Sequence, residues 1–291
     1  MRIALFATLI RPHAREIVRQ TVGWLLARGQ TVRMSAALAQ ETGYPACAVP
    51  ADALVAEADL ALAIGGDGTV LGAVRAAAPA RVPVLGMNAG ALGFLTELTP
   101  EQATLLLPRL LAGDYTLEPR MMLQARSYRG AELLRDDIAL NDVVVRQGAK
   151  GRLIVLGLGI AGHQLGRLGA DGLIISTPTG STAYGMAAGG PIVHPTAQVM
   201  IMVPICPHSF SFRPMVIPAT DPVEIRCESN QHNDEMMLSA DGQEPETLQP
   251  GDRVIVEPAT EHALLVKLGL SPFYERLREK LQWGADKNPS R

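Results

Sequence analysis

The chain has 291 residues, of which 47% are hydrophobic and 19% charged, so it can bury a substantial core and is not disordered as a whole. At roughly 150 residues per domain, two domains or one large domain are expected. The 26 Lys and Arg against 29 Asp and Glu leave a formal net charge of −3. That balance provides no basic field for a nucleic acid backbone and argues against a nucleic-acid partner.

Alternating strand and helix patterns fill the first part of the chain. Strands are predicted at residues 2–8, 31–34, 58–64 and 83–86, and helices at residues 13–28 and 69–78. Gly29 follows the first helix, where a terminating glycine is expected. This alternation predicts a Rossmann-like α/β domain with a parallel sheet over residues 1–112.

From about residue 114 the pattern changes to short apolar segments separated by Gly, Pro or Asn. Strands are predicted at residues 120–128, 138–146, 153–161, 222–227, 236–240, 253–257 and 263–268. Such a series predicts a mostly antiparallel β domain, a sandwich or a similar stacked arrangement, over residues 113–270. Residues 271–291 are predicted to form a C-terminal helix and a frayed tail, with Phe273, Leu277, Leu281 and Trp283 near one helix face. The helix could pack on either domain.

Three cysteines lie far apart in the sequence, at Cys47, Cys206 and Cys227, and no CxxC pair is present. Neither a disulfide framework nor a zinc site is therefore expected. Free thiols in a core are typical of a reducing cytoplasm, which is the predicted location. No stretch reaches the ~18 apolar residues that span a bilayer, so no membrane partner is expected.

A glycine-rich loop joins a predicted strand to a predicted helix, and its residues are Gly65, Gly66, Asp67, Gly68 and Thr69. Its glycines leave backbone N–H groups uncovered, and the helix N-terminus behind them adds partial positive charge, so the loop suits phosphate. It is not a P-loop, because no Gly-Lys-Ser/Thr follows. It is not the dinucleotide fingerprint either, because its glycine spacing is one residue too long.

Asp67 is the unusual residue of this loop, because a carboxylate among phosphate-binding amides would repel phosphate unless it faces a hydroxyl or a metal. A general base that accepts a hydroxyl proton, with phosphates held alongside, explains the combination. The alternative is that Asp67 caps the following helix, a role that Thr69 could share.

Three further segments carry polar groups next to apolar strands. Asn88 lies at the carboxyl end of a predicted strand, where ligands collect in open α/β sheets, although a tight glycine turn would also explain its segment. Asn141 and Asp142 interrupt an apolar strand; one of them needs a partner if the strand is buried, and neither does on an edge strand. Asp171 precedes an apolar triplet and a hydroxyl-rich run at residues 176–182, which could be simply a polar turn.

The motifs GGDGT at 65–69, GMNAGALGFL at 86–95 and DGLIISTPTGSTAY at 171–184 together resemble the bacterial NAD kinases. The resemblance covers most of the chain, residues 58–243, and extends more loosely to both ends. Related GGDGT loops occur in diacylglycerol-type lipid kinases and phosphofructokinases, so that loop alone is only moderately specific. The three motifs in this order are strongly specific.

The resemblance implies transfer of a phosphoryl group from ATP or polyphosphate to the 2′-hydroxyl of the adenosine ribose of NAD, giving NADP. Asp67 would be the general base, and the loop amides would hold donor phosphate oxygens. A divalent cation, Mg²⁺, would bridge the donor oxygens without a dedicated set of protein ligands. The resemblance also implies a homo-oligomer, a dimer or a tetramer.

The family has an Asn-Glu pair where this chain has Asn141 and Asp142. The amide matches the edge of adenine and the carboxylate can accept from ribose hydroxyls, but the shorter Asp142 leaves the reach of the second contact open. The other implied substrate contacts are Asn88, Arg152, Gly169, Asp171, Thr182, Ala183, Tyr184, Gly185, Met186, Ala187 and Gln243.

Alternatives stay open at several of these positions. Arg152 could be a solvated surface residue, and Gln243 could belong to an ordinary Asp-Gly hairpin turn. Gly169 has no charged side chain, so this wall of the implied dinucleotide site carries no cation there, which suggests that NADH is accepted as well as NAD⁺. Two other functions are also compatible with the loop: a diacylglycerol-type lipid kinase, which needs an apolar acceptor cleft, and a non-catalytic NAD(P)-binding module.

Overall fold

The structure is a computed structural model that describes residues 1–10, 13–90, 93–149, 151–209, 211–228, 235–270 and 272–283. Its contacts divide the chain into two units. The first comprises Met1–Pro119 together with the C-terminal residues from Ala263, and the second comprises Arg120–His262. The predicted domain limits at residues 112/113 and 270/271 stay a prediction. Within the described residues, no helix has the length and apolar character needed to cross a membrane.

The first unit contains a parallel sheet, as predicted. Its strands are β1 (Arg2–Ala7), β2 (Thr31–Arg33), β3 (Leu60–Gly65) and β4 (Val84–Asn88), in the order β2-β1-β3-β4. Its first four helices are α1 (Ala14–Leu26), α2 (Ala36–Thr42), α3 (Asp67–Ala77) and α4 (Pro100–Leu111). All six residues of β3 are buried, as expected for a central strand that is covered on both faces.

Helices α2 and α4 were not predicted, although both begin with recognisable signals. The Ser35 hydroxyl accepts a hydrogen bond from Leu38 N at the start of α2. At the start of α4, Gln102 Oε1 accepts from Thr99 N at 3.0 Å and Pro100 occupies the first turn. The capping sequence at residues 99–102 is thus a signal in the sequence that could have indicated α4.

The second unit is built from antiparallel strands, as predicted. Its elements, of which β5 begins and β16 ends within the first unit, are in chain order β5 (Thr116–Arg129), β6 (Glu132–Ala139), β7 (Asp142–Gln147), β8 (Ile154–Ile160), β9 (His163–Ala170), β10 (Gly172–Ser176), the one-turn helix α5 (Tyr184–Ala187), β11 (Val199–Ile205), β12 (Met215–Pro218), β13 (Val223–Glu228), β14 (Met236–Ala240), β15 (Glu246–Leu248) and β16 (Arg253–Lys267). One sheet has the order β12-β11-β10-β7-β14-β15, and the other contains β16-β13-β8-β9 with β5 and β6. Buried side chains of both sheets share one core, for example Val143 and Ile175 with Leu156 and Ile225.

Two predicted strand boundaries were wrong. The single strand predicted at residues 138–146 is two strands: β6 pairs with β5, and β7 pairs with β10 and β14. The break occurs because backbone amides at the junction donate to the side chain of Asp241 instead of to a neighbouring strand. Conversely, the strands predicted at 253–257 and 263–268 are one long strand, β16. The residues between them, 258–262, are also extended, although some of them are polar and exposed.

The C-terminal helix α6 (Phe273–Leu281) belongs to the first unit. Arg276 and Leu277 are buried on this helix, whereas Trp283 lies beyond its end and is 55% exposed. The predicted apolar face therefore does not include Trp283. An arginine occupies the buried face instead, which the spacing of apolar residues did not indicate.

Candidate active site

The glycine-rich loop lies at the carboxyl edge of the parallel sheet, as predicted. β3 ends at Gly65 and α3 begins at Asp67, with Gly66 at the N-cap position. In the register of the two neighbouring parallel strands, Gly65 is opposite Asn88 at the end of β4. The structure therefore brings Asn88 beside the loop, at the edge of an α/β sheet where ligands bind.

Asp67 does not cap its own helix, because the N-cap residue is Gly66 and no side chain caps α3. Its carboxylate instead accepts two backbone hydrogen bonds, from Phe94 N to Oδ2 at 2.9 Å and from Leu95 N to Oδ1 at 3.0 Å. An ionised carboxylate offers about four lone-pair positions, so each oxygen retains capacity for a further donor. The side chain is held in one orientation and can still accept a proton.

Gly93 makes this arrangement possible. A Cβ atom at this position would overlap the carboxylate of Asp67, so only glycine permits the close approach. Gly93 N donates to Thr96 Oγ1 at 3.0 Å, which shapes the turn that presents the next two amides. Sequence reasoning did not single out Gly93, although it lies in the GMNAGALGFL segment.

The start of α3 supplies the expected anion-binding character. The first N–H groups of a helix have no partner within it and carry partial positive charge, and here both Gly66 and Gly68 are exposed. Thr69 differs, because its N–H donates to Gly66 O at 2.9 Å and its hydroxyl hydrogen-bonds with Thr8 Oγ1 at 2.8 Å. Because the Thr69 N–H already has a backbone partner, this structure does not show it turned towards a ligand, and the phosphate contact predicted for it stays a prediction.

Asn88 has an unused donor. Its side chain is 1% exposed, and Oδ1 accepts from Gly90 N at 2.8 Å. Its buried Nδ2 has no hydrogen-bond partner among the residues that the structure describes. A buried amide without a partner is costly, so this donor is suited to a ligand oxygen or an ordered water.

In the second unit, two of the predicted motifs meet. Ser176 at the end of β10 is opposite Asp142 at the start of β7. Thr177 N donates to Asn141 O at 2.9 Å, and Thr177 Oγ1 donates to Leu140 O at 2.6 Å. A Cβ atom on Gly180 would overlap the backbone of Asn141. The hydroxyl-rich turn is therefore packed directly on the Asn-Asp pair and is not a solvated polar turn.

Asp241 clamps the same segment, a role that sequence reasoning missed. Its carboxylate accepts from the N–H groups of Leu140, Asn141 and Asp142 at 2.8, 2.7 and 3.1 Å. Its own N–H donates to Asp142 O at 2.9 Å. The Asp-Gly sequence suggested only a turn, and the left-handed backbone of Asp241, with φ of 49°, agrees with that.

The implied contacts that follow the turn lie on two short helical turns. Tyr184 is 44% exposed, Thr182, Ala183 and Met186 are half-buried, Ala187 is exposed and Gly185 is buried. Gln243 is exposed in the turn after β14, and its Nε2 lies 3.5 Å from Asp241 O. Through Asp241, Gln243 belongs to the same neighbourhood as the Asn-Asp pair.

The structure does not bring Asp171 to that neighbourhood. β10 pairs with β7 so that Gly172 is opposite Arg146 and Ser176 is opposite Asp142. Asp171 lies five residues before Ser176, so at ~3.4 Å per residue it is roughly 17 Å along the strand direction from the position opposite Asp142. Gly169, which pairs with Val155, and the exposed Arg152 lie at the Asp171 end. The predicted NAD contacts thus form two groups at the two ends of β10.

Asp142 is a buried acid whose pKa is strongly raised. Burial and, to a smaller extent, the negative charge of Asp241 together raise the pKa of its carboxyl to about 7. The carboxyl therefore changes its charge near neutral pH. Unfolded, it ionises near its ordinary pKa of about 3.9. The folded state consequently loses stability as the pH rises from about 4 to about 7, and the loss levels off above that.

Replacing Asp142 by Asn should remove this slope. We expect the variant to gain in melting temperature relative to the parent protein between pH 5 and pH 8, because only the parent must ionise a buried acid. Thermal melts of both proteins at the two pH values measure the effect. Glu244→Gln, at an exposed acid in the following turn, is the matched control. Parallel melting curves for Asp142→Asn and the parent would contradict the assignment.

A protein cage for a metal ion is not found in the described part of the chain, where no three His, Cys, Asp or Glu side chains group together. Mg²⁺ often binds through substrate phosphates and water with only one or two carboxylates. A cation that is held mainly by the phosphates of a substrate is compatible with this finding.

The α/β unit presents helix amides and an oriented aspartate, and the β unit carries paired Asn and Asp side chains. These are the features of a nucleotide-dependent phosphotransferase. Comparison with known proteins specifies the family. Residues 3–115 match the ATP-NAD kinase N-terminal domain, and residues 140–268 match the ATP-NAD kinase C-terminal domain. The chain belongs to the NAD kinase family.

Individual relatives agree with this assignment. The chain is 43% identical to the NAD kinase of Moorella thermoacetica, over 99% of this chain and 93% of that protein. It is 39% identical to the NAD kinase of Geotalea daltonii, over 97% and 99%. Among solved structures, yeast NADH kinase complexed with NADH has a TM-score of 0.91 at 26% identity, over 100% and 90% of the two chains. An NAD kinase from Archaeoglobus fulgidus in complex with ATP has a TM-score of 0.75 at 25% identity, over 97% and 99%.

The predicted enzyme class is therefore confirmed: the chain is a kinase that phosphorylates NAD to give NADP. Neither a lipid kinase nor a non-catalytic NAD(P)-binding module is favoured by these matches.

Proposed function

We propose that Asp67 is the general base, accepting the proton of the 2′-hydroxyl of the adenosine ribose as that oxygen attacks the terminal phosphate of ATP or polyphosphate. The observation that carries this proposal is the orientation of the Asp67 carboxylate by Phe94 N and Leu95 N, with lone pairs left on both oxygens. A base must be held within hydrogen-bond reach of its proton, and positioning dominates phosphoryl transfer.

The donor phosphates bind at the start of α3 in this proposal. The N–H groups around Gly66 and Gly68 offer hydrogen bonds and partial positive charge to phosphate oxygens. The buried Nδ2 of Asn88, next to Gly65, is a further donor for a ligand oxygen. A divalent cation such as Mg²⁺, held mainly by phosphates and water, supplies charge neutralisation. The ATP complex of the Archaeoglobus enzyme supports ATP as one donor.

The second unit orients NAD. Asn141 is proposed to contact adenine and Asp142 the ribose hydroxyls, with residues 182–187 and Gln243 beside them. Arg152, Gly169 and Asp171 form the second group of contacts, at the other end of β10. A dinucleotide has two nucleosides joined by a pyrophosphate, so one substrate can contact separate groups of residues. Arg152 is assigned to the pyrophosphate and Gly169 contributes no side-chain charge of its own, so we expect comparable kcat/KM for NAD⁺ and NADH; strict NAD⁺ preference would refute this point.

A cytoplasmic homo-oligomer, a dimer or a tetramer, completes the proposal. The thiols of Cys47 and Cys227 are free and buried, and burial raises their pKa, that of Cys227 to about 12. Such unreactive free thiols are typical of a reducing compartment. Sedimentation equilibrium of the purified protein measures the oligomeric state, and a monomer at all concentrations would refute that part of the proposal.

The decisive assay uses purified protein with NAD⁺ and either ATP or polyphosphate, with and without Mg²⁺. NADP⁺ is detected by coupling to an NADP-specific dehydrogenase. We expect NADP⁺ with at least one donor, and loss of activity when EDTA removes the divalent cation. Formation of NADP⁺ at an equal rate in EDTA would exclude the cation, and no NADP⁺ with either donor would contradict the proposed reaction.

A further inference from the structure

The first unit contains a buried charge cluster, formed by Glu97, Lys267 and Arg276. The side chains of Glu97 and Arg276 are 2% and 3% exposed, and that of Lys267 is 19% exposed. Glu97 Oε2 accepts from Lys267 Nζ at 3.1 Å and from Arg276 Nη2 at 3.3 Å, while Oε1 accepts from Leu268 N at 3.0 Å. The cluster therefore joins the end of β16 and helix α6 to the segment that follows β4.

Arg276 also donates hydrogen bonds to the backbone of that segment. Its Nη1 donates to Phe94 O at 2.9 Å and to Thr96 O at 2.6 Å. Lys280, one turn further along α6, lies 5.9 Å from the centre of the Phe94 ring. Residues 94–97 are thus held on one side by the C-terminal helix, through carbonyl groups and a carboxylate.

The same segment holds Asp67 on its other side, through the N–H groups of Phe94 and Leu95. The carbonyl that Arg276 binds and the amide that Asp67 binds belong to the same residue, Phe94. A displacement of this short segment would move both amide donors and so rotate or shift the carboxylate. The path from α6 to the carboxylate is continuous: hydrogen bonds join Arg276 to the backbone at Phe94, and hydrogen bonds from Phe94 N and Leu95 N join that backbone to Asp67.

We propose that Arg276 is a positioning residue for the reaction: it fixes residues 94–97 so that their amides hold the Asp67 carboxylate in the orientation that accepts the substrate proton. This role rests on the proposed function of Asp67 as the base. A buried ion pair contributes little net stability compared with well-packed apolar side chains, so fixed geometry is the advantage that such a cluster supplies. The planar guanidinium binds two carbonyls and a carboxylate at once, which a lysine ammonium cannot reproduce in the same geometry.

The test is a double-mutant cycle between the two positions. Arg276→Lys keeps the positive charge and should lower kcat by about 10- to 100-fold, since small misplacements of a catalytic group have effects of that size. KM for NAD and for the phosphate donor should stay within about twofold, because Arg276 lies outside the proposed substrate contacts. In the Asp67→Asn background the same substitution should change kcat by less than about twofold, since the group that it positions is no longer a base.

Arg278→Lys, at an exposed arginine of the same helix, is the matched control and should leave kcat unchanged. If Arg276→Lys does not fold, Glu97→Gln replaces it in the cycle, because the amide oxygen can still accept from Leu268 N while the ion pair is weakened. A purely structural role predicts equal losses in both backgrounds, and that result, or an unchanged kcat in the folded variant, overturns the proposal. An unchanged kcat in Asp67→Asn alone overturns the proposed base itself, so the two failures are distinguishable.

Discussion

Replacing Asp67 by Asn should lower kcat by about 10²–10⁴, the range for removal of a general base. An amide cannot take up the proton of the 2′-hydroxyl, although it has nearly the same size as the carboxylate. One of its two terminal atoms becomes a donor and then faces either Phe94 N or Leu95 N, so a small loss of stability is also expected. Initial-rate kinetics with saturating NAD⁺ and donor measure the change.

The control for this variant is Asp52→Asn, at an exposed aspartate of the same unit, which should keep the parental kcat. Thermal melting separates lost catalysis from lost folding. Direct titration of NAD⁺ should show binding within a few-fold of the parent, because the implied NAD contacts lie mainly in the second unit. A folded Asp67→Asn variant with unchanged kcat would remove Asp67 from the chemistry.

Replacing Asp241 by Ala should have the largest effect on stability among single substitutions near the Asn-Asp pair. Three N–H groups, those of Leu140, Asn141 and Asp142, would lose their shared acceptor. Leaving a buried donor without a partner costs ~1–3 kcal/mol, so we expect the free energy of unfolding to fall by about 3 kcal/mol. Because the same segment carries Asn141 and Asp142, kcat/KM for NAD should fall as well.

Urea denaturation and steady-state kinetics measure the two effects of Asp241→Ala. Asp241→Asn keeps one acceptor oxygen and should be intermediate, and Glu244→Ala, at an exposed acid three residues further on, should be near neutral. Removing the negative charge of Asp241 should also lower the pKa of Asp142, since that charge contributes to its elevation. A parental unfolding free energy in Asp241→Ala would show that the three amides find other acceptors.

The NAD pocket should respond to pH through Asp142. Because its pKa is raised to about 7, the carboxyl becomes neutral as the pH falls below that value and accepts ribose hydroxyl donors less well. We therefore expect KM for NAD to rise between pH 8 and pH 6, and this rise to be absent in Asp142→Asn. The sign is opposite to the effect on folding, where ionisation is the unfavourable step.

Local pattern was sufficient for the parallel α/β arrangement and for the position of the glycine loop. Continuous apolar runs such as that of β3 and the amphipathic spacing of α1 depend only on neighbouring residues, so they were visible in the sequence. The placement of Asn88 beside Gly65 also followed, because parallel strands that are followed by loops end at one edge. The three motifs together identified the family.

Contacts between residues distant in the sequence were decided only by the tertiary structure. Nothing near Asp67 indicates that amides 27 and 28 residues away hold its carboxylate, or that Gly93 must lack a side chain there. Asp241 lies about 100 residues from the junction that it clamps, and Arg276 lies 182 residues from Phe94. The sequence determined which chemical groups are available and where the loop begins. The tertiary structure determined which backbone groups orient them, because hydrogen-bond partners are selected by packing and not by proximity along the chain.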